Sequence, residues 1–241
     1  MNLTMPVAKP DKTGPRRRPI LTALILVAIP FSVLLVDVLC DGPLAAIDKQ
    51  IANGLIVYNG QHDFAFRVAT VVTQLGSTAV LAAVVITGTG YLGLIRKQRR
   101  QALFLLTTAL VGTGLNNLIK VVVGRNRPHF EPSRATAFGK SFPSGHAMNA
   151  AVVYCVLLTL IWSQLHTRRR RTAAICGTTL LLVLIAASRV VLTVHYVSDV
   201  IAGITLGVAL VCASTAAFAV WPDDSGPDPV LPHVAAQQGA A

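Results

Sequence analysis

The sequence predicts an all-α fold, an integral membrane bundle of six transmembrane helices. Hydrophobic residues make up 53% of the 241 positions and charged residues only 13%, whereas soluble domains carry about 25% charged residues. The mean hydropathy is +0.61. Six apolar stretches approach the roughly 20 residues that a helix needs to cross the hydrocarbon core. Short basic clusters separate these stretches, as expected for charges that orient a membrane protein.

The predicted spans cover residues 20–40, 78–95, 102–123, 147–165, 172–194 and 200–220. The first is longer than the apolar core of a signal peptide, and Leu39 stands where a small residue would precede a lipid-modified Cys40. We therefore interpret it as a retained span. The domain organisation predicted is a basic cytoplasmic tail over 1–19, a six-span domain over 20–220 and a disordered tail over 221–241, which has no apolar face to bury.

The segment 41–77 before the second span is of mixed polarity. Its apolar residues Ile47, Ile51, Leu55 and Tyr58 recur at helical spacing, which predicts an amphipathic helix. Such a helix could lie against lipid headgroups or could be a connecting helix packed on the bundle. We favour the second role.

Orientation follows from three basic clusters, within residues 9–18, 96–100 and 168–171. With six spans, all three lie on the side of both termini. The positive-inside rule places that side in the cytoplasm. We therefore expect a multi-pass cell-membrane protein, and the net charge of +11 is explained without nucleic acid as a partner.

A second set of basic residues lies on the opposite, outer side, where topology does not require positive charge. Its members are Lys120, Arg125, Arg127, Arg134, Lys140 and Arg189. Glu131 is the only acidic residue in the loop that carries most of them, so acidic side chains cannot balance this charge. Several converging Lys and Arg side chains favour an anionic ligand, and phosphate is the natural candidate.

Two short motifs lie beside this basic set. Lys120 is followed after six residues by Arg127 and Pro128, which could bind phosphate oxygens, although basic residues at span ends often only reach for the interface. Pro143-Ser144-Gly145-His146 precedes the fourth span. Ser144 is a plausible N-cap, and the free N–H groups of a helix start form an anion site. His146 could donate a proton there, or could be an ordinary interfacial histidine.

A third motif joins Ser188 and Arg189 to His195 and Asp199. If the region is helical, His195 and Asp199 at i and i+4 share one face. Asp199 would then bind one imidazole nitrogen and leave the other free to attack. Such a pair alone is more often a structural tie between two spans. The predicted topology brings all three motifs to one membrane face, and this convergence favours catalysis.

Together these residues resemble the three-part signature of the type 2 phosphatidic acid phosphatase superfamily, KxxxxxxRP, PSGH and SRxxxxxHxxxD. All eleven specified residues are present in order between Lys120 and Asp199. The resemblance implies that His195 forms a phosphohistidine, that Asp199 orients it, and that His146 protonates the leaving group and then activates water. It also implies phosphate binding by the residues Lys120, Arg127, Ser144, Gly145 and Arg189.

The resemblance implies neither metal nor cofactor, and no acidic cluster or CxxC pair in the sequence has metal-ligand spacing. We predict a membrane phosphatase acting on a lipid phosphate or pyrophosphate at the outer face. The candidates are phosphatidic acid, phosphatidylglycerol phosphate and a polyprenyl pyrophosphate such as undecaprenyl pyrophosphate, with a slight preference for the polyprenyl lipid. The alternatives are an anion-binding transporter or channel and a catalytically silent member of the family. The oligomeric state stays open.

Overall fold

The computed structural model describes residues 17–61, 63–128 and 139–220. Over these ranges it contains eight α-helices, listed here in chain order: α1 Arg17–Leu39, α2 Pro43–Gln61, α3 Asp63–Val72, α4 Thr78–Gly90, α5 Arg99–Val123, α6 Gly145–Ile161, α7 Arg168–Val191 and α8 Val197–Val220. A 3-10 turn joins α3 to α4, a π-helical turn ends α4, and a second 3-10 turn follows α6. The all-α prediction is confirmed.

Six candidate spans are present if one bent pair counts as a single span. Five helical runs are long and apolar enough to cross a membrane, and Leu24–Leu39 with Pro43–Gln61 form a sixth, bent by 82°. The prediction of a six-helix membrane bundle is therefore confirmed. Part of the predicted tails, residues 1–16 and 221–241, lies outside the described residues, whereas α1 already begins at Arg17 within the predicted N-terminal tail.

The second predicted span begins at Thr78, as α4 does, and forms the later part of an apolar helical run from Asp63 to Ile95. One predicted boundary was wrong, the end of the fifth span. The fifth ends at Val191, because Leu192 and Thr193 turn the chain and Thr193 has a left-handed φ of 55°. An α-helix cannot continue through that conformation.

Helix α2 is the helix predicted in the 41–77 segment, but its apolar residues are not the side that packs on the bundle. Ala45, Asp48, Ala52 and Asn59 are buried. The exposed side chains of α2 include Ile47, Ile51 and Tyr58. Packing on the bundle thus uses a narrow face of small and polar residues, and the apolar stripe lies beside that face.

Helix α6 lies at the centre of the bundle and packs against α5, α7 and α8. Its contact with α8 depends on glycine. A Cβ at Gly203 would lie 2.7 Å from the Ser144 carbonyl oxygen, and one at Gly207 would lie 2.7 Å from that of Met148. Small residues of this kind let two membrane helices approach closely. This close contact of Gly203 and Gly207 with α6, the glycine seam, therefore positions the start of α6 against the start of α8.

Four helix ends meet at one end of the bundle. The Ser144 N–H donates to the Asp199 carbonyl at 2.9 Å, joining α6 to α8. Lys120 near the end of α5 donates to the Lys140 carbonyl at 2.9 Å. Arg189 in the last turn of α7 donates to Thr73 at 2.8 Å. The predicted convergence of the three motifs is thereby observed for the described residues.

Substitution of Gly207 by alanine should destabilise the protein, because its methyl group would enter the α6 backbone. Overpacking of this kind costs about 1–3 kcal/mol. The melting temperature of purified protein in detergent should fall for Gly207→Ala. Gly177→Ala is the matched control, since a Cβ at Gly177 in α7 meets nothing within 4 Å. Equal melting temperatures for the two variants would contradict the close α6–α8 packing.

Candidate active site

His195 lies in the α7–α8 connection, almost completely buried at 3% exposure. The helical condition under which His195 and Asp199 would share one face is not met, since α8 begins only at Val197. The pair forms nevertheless. Asp199 lies in the first turn of α8, and its Oδ2 is 3.3 Å from His195 Nδ1. Oδ2 also accepts the Tyr196 N–H at 3.0 Å, so the carboxylate reaches back over the helix start as in a capping box.

The hydrogen bonds of His195 define its tautomer. Arg127 Nη1 lies 3.0 Å from His195 Nε2. A guanidinium can only donate, so Nε2 must be the acceptor nitrogen, and Nδ1 carries the proton that faces Asp199. The lone pair of His195 is thus on Nε2, where it accepts a hydrogen bond from Arg127, and a neutral nitrogen of this kind becomes a nucleophile once that donor turns to a bound anion.

Burial lowers the pKa of His195 to about 4. The hydrogen bond and the negative charge of Asp199 raise this pKa, while the positive charges of Arg127 and Arg189 lower it. The imidazole is therefore neutral at physiological pH, as the tautomer requires.

Asp199 is completely buried, and donors from three segments bind its carboxylate. Arg125 Nη1 donates to Oδ1 at 2.6 Å. Ser141 donates its hydroxyl to Oδ2, where it joins the Tyr196 N–H and His195. A buried carboxylate without such partners would be very costly. These bonds hold the carboxylate in one orientation toward His195.

The predicted phosphate-binding cations surround this pair. Lys120 Nζ donates to the carbonyls of Lys140 and Ser141 at 2.9 and 3.4 Å. Arg127 also donates to the carbonyls of Gly139 and Val194, at 2.9 and 2.7 Å.

Arg189 completes this set of cations. It is only 8% exposed, and it interacts electrostatically with both Arg127 and Lys120. Arg134, counted in the outer basic set, lies outside the described residues.

The PSGH residues lie at the start of α6. Ser144 is the N-cap by position, but its side chain makes no capping bond and its buried Oγ has no hydrogen-bond partner within the described ranges. A Cβ at Gly145 would lie 3.2 Å from Asn116 Oδ1 and 3.9 Å from Lys120 Cε. His146 lies in the first turn, within electrostatic range of His195 and Arg189. All eight predicted site residues are thus at one end of the bundle.

Sequence reasoning missed Arg125, Asp48 and Ser141 as members of this site. Arg125 was assigned only to the outer basic set, and its salt bridge to Asp48 at 2.9 Å spans 77 residues of sequence. For Asp48 the sequence holds one signal, since the regular spacing of apolar residues around it predicts the helix on which it lies. Ser141 carries no motif signal, being separated from the PSGH tetrapeptide by Phe142.

The chain is similar to a family of known proteins. A PAP2 superfamily model matches residues 101–222. The chain is 38% identical to phosphatidylglycerophosphatase B of Bacillus subtilis over 151 residues, which are 60% of this chain and 70% of that protein. It is 31% identical to lipid A 1-phosphatase of Rhizobium etli over 113 residues, 43% of this chain and 44% of that protein.

A solved structure is similar in fold. The crystal structure of a transmembrane PAP2 type phosphatidylglycerolphosphate phosphatase from Bacillus subtilis matches with a TM-score of 0.74 and 25% identity. The match covers 83% of this chain and 98% of the other.

The described residues form a helical membrane bundle with basic groups around a buried histidine–aspartate pair, as the sequence predicted for a membrane phosphatase. The matches to the family model and to the curated relative define the class further, as a phosphoric ester hydrolase of the lipid phosphatase type. The chain belongs to the PAP2 superfamily. The resemblance inferred from the three motifs is therefore confirmed.

Proposed function

We propose that the chain hydrolyses a lipid phosphate through a phosphohistidine intermediate on His195. The observation that carries this proposal is the tautomer of His195. Its Nδ1–H faces the Asp199 carboxylate, and its Nε2 lone pair lies 3.0 Å from an Arg127 nitrogen. The nucleophilic atom and a phosphate-binding cation are thus adjacent.

The reaction has two steps. In the first, Nε2 attacks phosphorus, the P–N bond forms, and the P–O bond to the lipid breaks while His146 donates a proton to the departing oxygen. In the second, His146 accepts a proton from water, the water oxygen attacks phosphorus, and the P–N bond breaks. The products are the dephosphorylated lipid and phosphate. Asp199 stabilises the imidazole while it carries positive charge.

The cations supply the electrostatic stabilisation in this proposal. Lys120, Arg127 and Arg189 balance the charge of the phosphate oxygens without a metal ion. Ser144 Oγ and Arg189 Nε, which have no hydrogen-bond partner among the described residues, would gain hydrogen bonds from a phosphate, and buried polar groups gain most from such partners. The N–H groups at the start of α6 add a further anion site.

A groove in the bundle supports a lipid as the substrate. This groove, of about 230 Å³, lies between α4, α5 and α6, and Leu81, Val85, Leu106 and Val152 are among its apolar lining residues. Asn149, one helical turn after His146, also lines it. An acyl or prenyl chain in the groove would place its phosphate near His146.

We take phosphatidylglycerol phosphate as the first substrate to test, because the similar sequence and the similar solved structure from Bacillus subtilis are both named as phosphatidylglycerophosphate phosphatases. The slight preference for a polyprenyl pyrophosphate stays a prediction. Purified protein should be tested in one assay on phosphatidylglycerol phosphate, phosphatidic acid and undecaprenyl pyrophosphate.

We further propose that the active-site end of the bundle faces outward and that both termini are cytoplasmic. The basic residues at the starts of α5 and α7 support this orientation. Arg100 at the start of α5 donates to the Phe218 carbonyl near the end of α8, which places this basic end opposite the site.

Replacement of His195 by alanine should reduce phosphate release in detergent and EDTA to background, because the nucleophile is lost. His146→Ala should retain more activity, with a loss of about 10²–10⁴-fold for a missing general acid. When wild-type protein turns over a lipid phosphate labelled in its phosphate group, an alkaline quench should trap the labelled phosphate on His195. Full turnover by His195→Ala would contradict the nucleophile assignment, and an absolute requirement for a divalent ion would contradict the metal-free mechanism.

The pH profile should report the lowered pKa of His195. The nucleophile must be neutral, so kcat/KM, which reports the free enzyme, should fall as pH drops through about 4 rather than through the ordinary histidine value of about 6.5. Asp199→Asn removes the negative charge that raises this pKa, so its acidic limb should move to lower pH while kcat decreases. An acidic limb that does not move between wild type and Asp199→Asn would argue against His195 as its source.

Ala82→Trp should fill the groove and lower kcat/KM for long-chain lipid phosphates. Hydrolysis of a water-soluble aryl phosphate should be unchanged, because the catalytic groups are not altered. Ala83→Trp is the matched control, since Ala83 is the next residue of α4, is exposed and does not line the groove. Equal effects of Ala82→Trp on both substrates would exclude the groove as the hydrocarbon site.

The exposed Cys40, between α1 and α2, should react with a membrane-impermeant maleimide on intact cells. His166→Cys, in the loop before α7, should react only after permeabilisation in a background without the native cysteines. The reverse pattern would invert the proposed orientation.

A further inference from the structure

A line of three buried or nearly buried charges connects α2 to the histidine pair. Arg125 Nη2 lies 2.9 Å from Asp48 Oδ2, and Arg125 Nη1 lies 2.6 Å from Asp199 Oδ1. The Asp48 and Asp199 side chains are 4% and 0% exposed, and that of Arg125 is 13% exposed. One guanidinium thus bridges two carboxylates, which its planar fork of donors allows.

Asp48 also binds the start of α8 directly. Its Oδ1 accepts the Ser198 N–H at 3.1 Å, and its Oδ2 accepts the Ser198 hydroxyl. Ser198 precedes Asp199 in the first turn of α8. The negative charge of Asp48 therefore lies at a helix N-terminus, where the helix dipole favours it, and it fixes the turn that carries Asp199.

Arg125 is held from several sides. Its guanidinium lies over the Tyr196 ring at 4.3 Å from the centroid, and its Nη1 also donates to Ser198 Oγ at 2.7 Å. Burial lowers the pKa of Arg125, but Asp199 and Asp48 outweigh it and raise that pKa above its ordinary value. Arg125 is thus a permanent cation.

We infer that Asp48 and Arg125 are positioning residues for the nucleophile, acting through Asp199. Arg125 occupies Oδ1 of Asp199 and leaves Oδ2 to His195. Asp48 balances the second side of the guanidinium. Without that balance, Asp199 would be the only carboxylate paired with Arg125 and would stabilise the imidazole less as it takes up the phosphoryl group.

This inference rests on the proposed role of His195, and it predicts an effect on catalysis without an effect on phosphate binding. The phosphate is assigned to Lys120, Arg127 and Arg189, and neither Asp48 nor Arg125 is among these residues. Breaking the contact between Asp48, Arg125 and Asp199 should therefore lower kcat and leave the inhibition constant of inorganic phosphate unchanged. A merely structural tie would change both together and would also lower the melting temperature.

The test compares Asp48→Asn with Lys49→Gln in the full-length protein in detergent. Asparagine keeps an oxygen for the Ser198 N–H and removes the charge, while Lys49 is the neighbouring exposed residue of α2. Asp48→Asn should lower kcat by about 10–100-fold, the range found when a group that orients an active-site ligand is removed. KM and inhibition by inorganic phosphate should stay at the values of Lys49→Gln.

Arg125→Lys tests the same line independently, because it keeps the charge and loses the fork. It should lower kcat with unchanged phosphate inhibition. The double variant should lose less than the product of the two single losses, since each single change already breaks the line.

The inference is overturned if Asp48→Asn and Arg125→Lys have the kcat of Lys49→Gln, if their losses multiply independently, or if weaker phosphate inhibition accompanies the loss of kcat. His195→Ala in the same assay separates the two proposals. An active His195→Ala contradicts the proposed function, whereas an inactive one with unchanged Asp48→Asn contradicts only this inference.

Discussion

The buried carboxylate of Asp199 is the group on which the site depends. It is completely excluded from solvent, and a carboxylate in that position must be paired and hydrogen-bonded to be tolerated. Its donors come from Arg125 after α5, from Ser141 before α6, and from Tyr196 and His195 before α8. Satisfying this one charge brings the α5–α6 and α7–α8 connections together at the same end of the bundle.

The cations of the site repel one another. Because Lys120, Arg127 and Arg189 lie close together and away from water, the charged form of each is destabilised by the other two. Backbone carbonyls of the loops partly offset this repulsion for Lys120 and Arg127. A site that already holds these charges in place does not have to reorganise when an anion arrives, which is the condition for electrostatic catalysis.

Much of the fold was readable from the sequence because hydropathy and basic clusters are strong local signals. The predicted second span begins at Thr78, where α4 begins, but the sequence did not show that the apolar run extends back to Asp63, because Gln74 and Ser77 interrupt the apolar pattern. For the site, the three motifs predicted the convergence of His146, His195 and Asp199. Local periodicity could not show that Thr193 turns the chain before His195.

The charge line from α2 was beyond sequence reasoning for a different reason. Asp48 and Arg125 are far apart in the chain and belong to no short motif, so only their packing reveals the pair. The apolar spacing of Ile47, Ile51 and Tyr58 predicted the helix but did not indicate which face packs on the bundle. The side chains that join α2 to the bundle are the small and polar ones, whose signal in a hydropathy pattern is weak.

The glycine seam between α6 and α8 has a consequence for how related enzymes can diverge. At Gly203 and Gly207 the two backbones leave no room for a side chain, so neither position can be enlarged without moving Ser144 or Met148. The other flank is not limited in this way, because there α4 and α5 border the groove with apolar side chains. If the groove holds the lipid tail, as proposed, substitutions on that flank would change the tail that fits and leave the proposed chemical centre as it is.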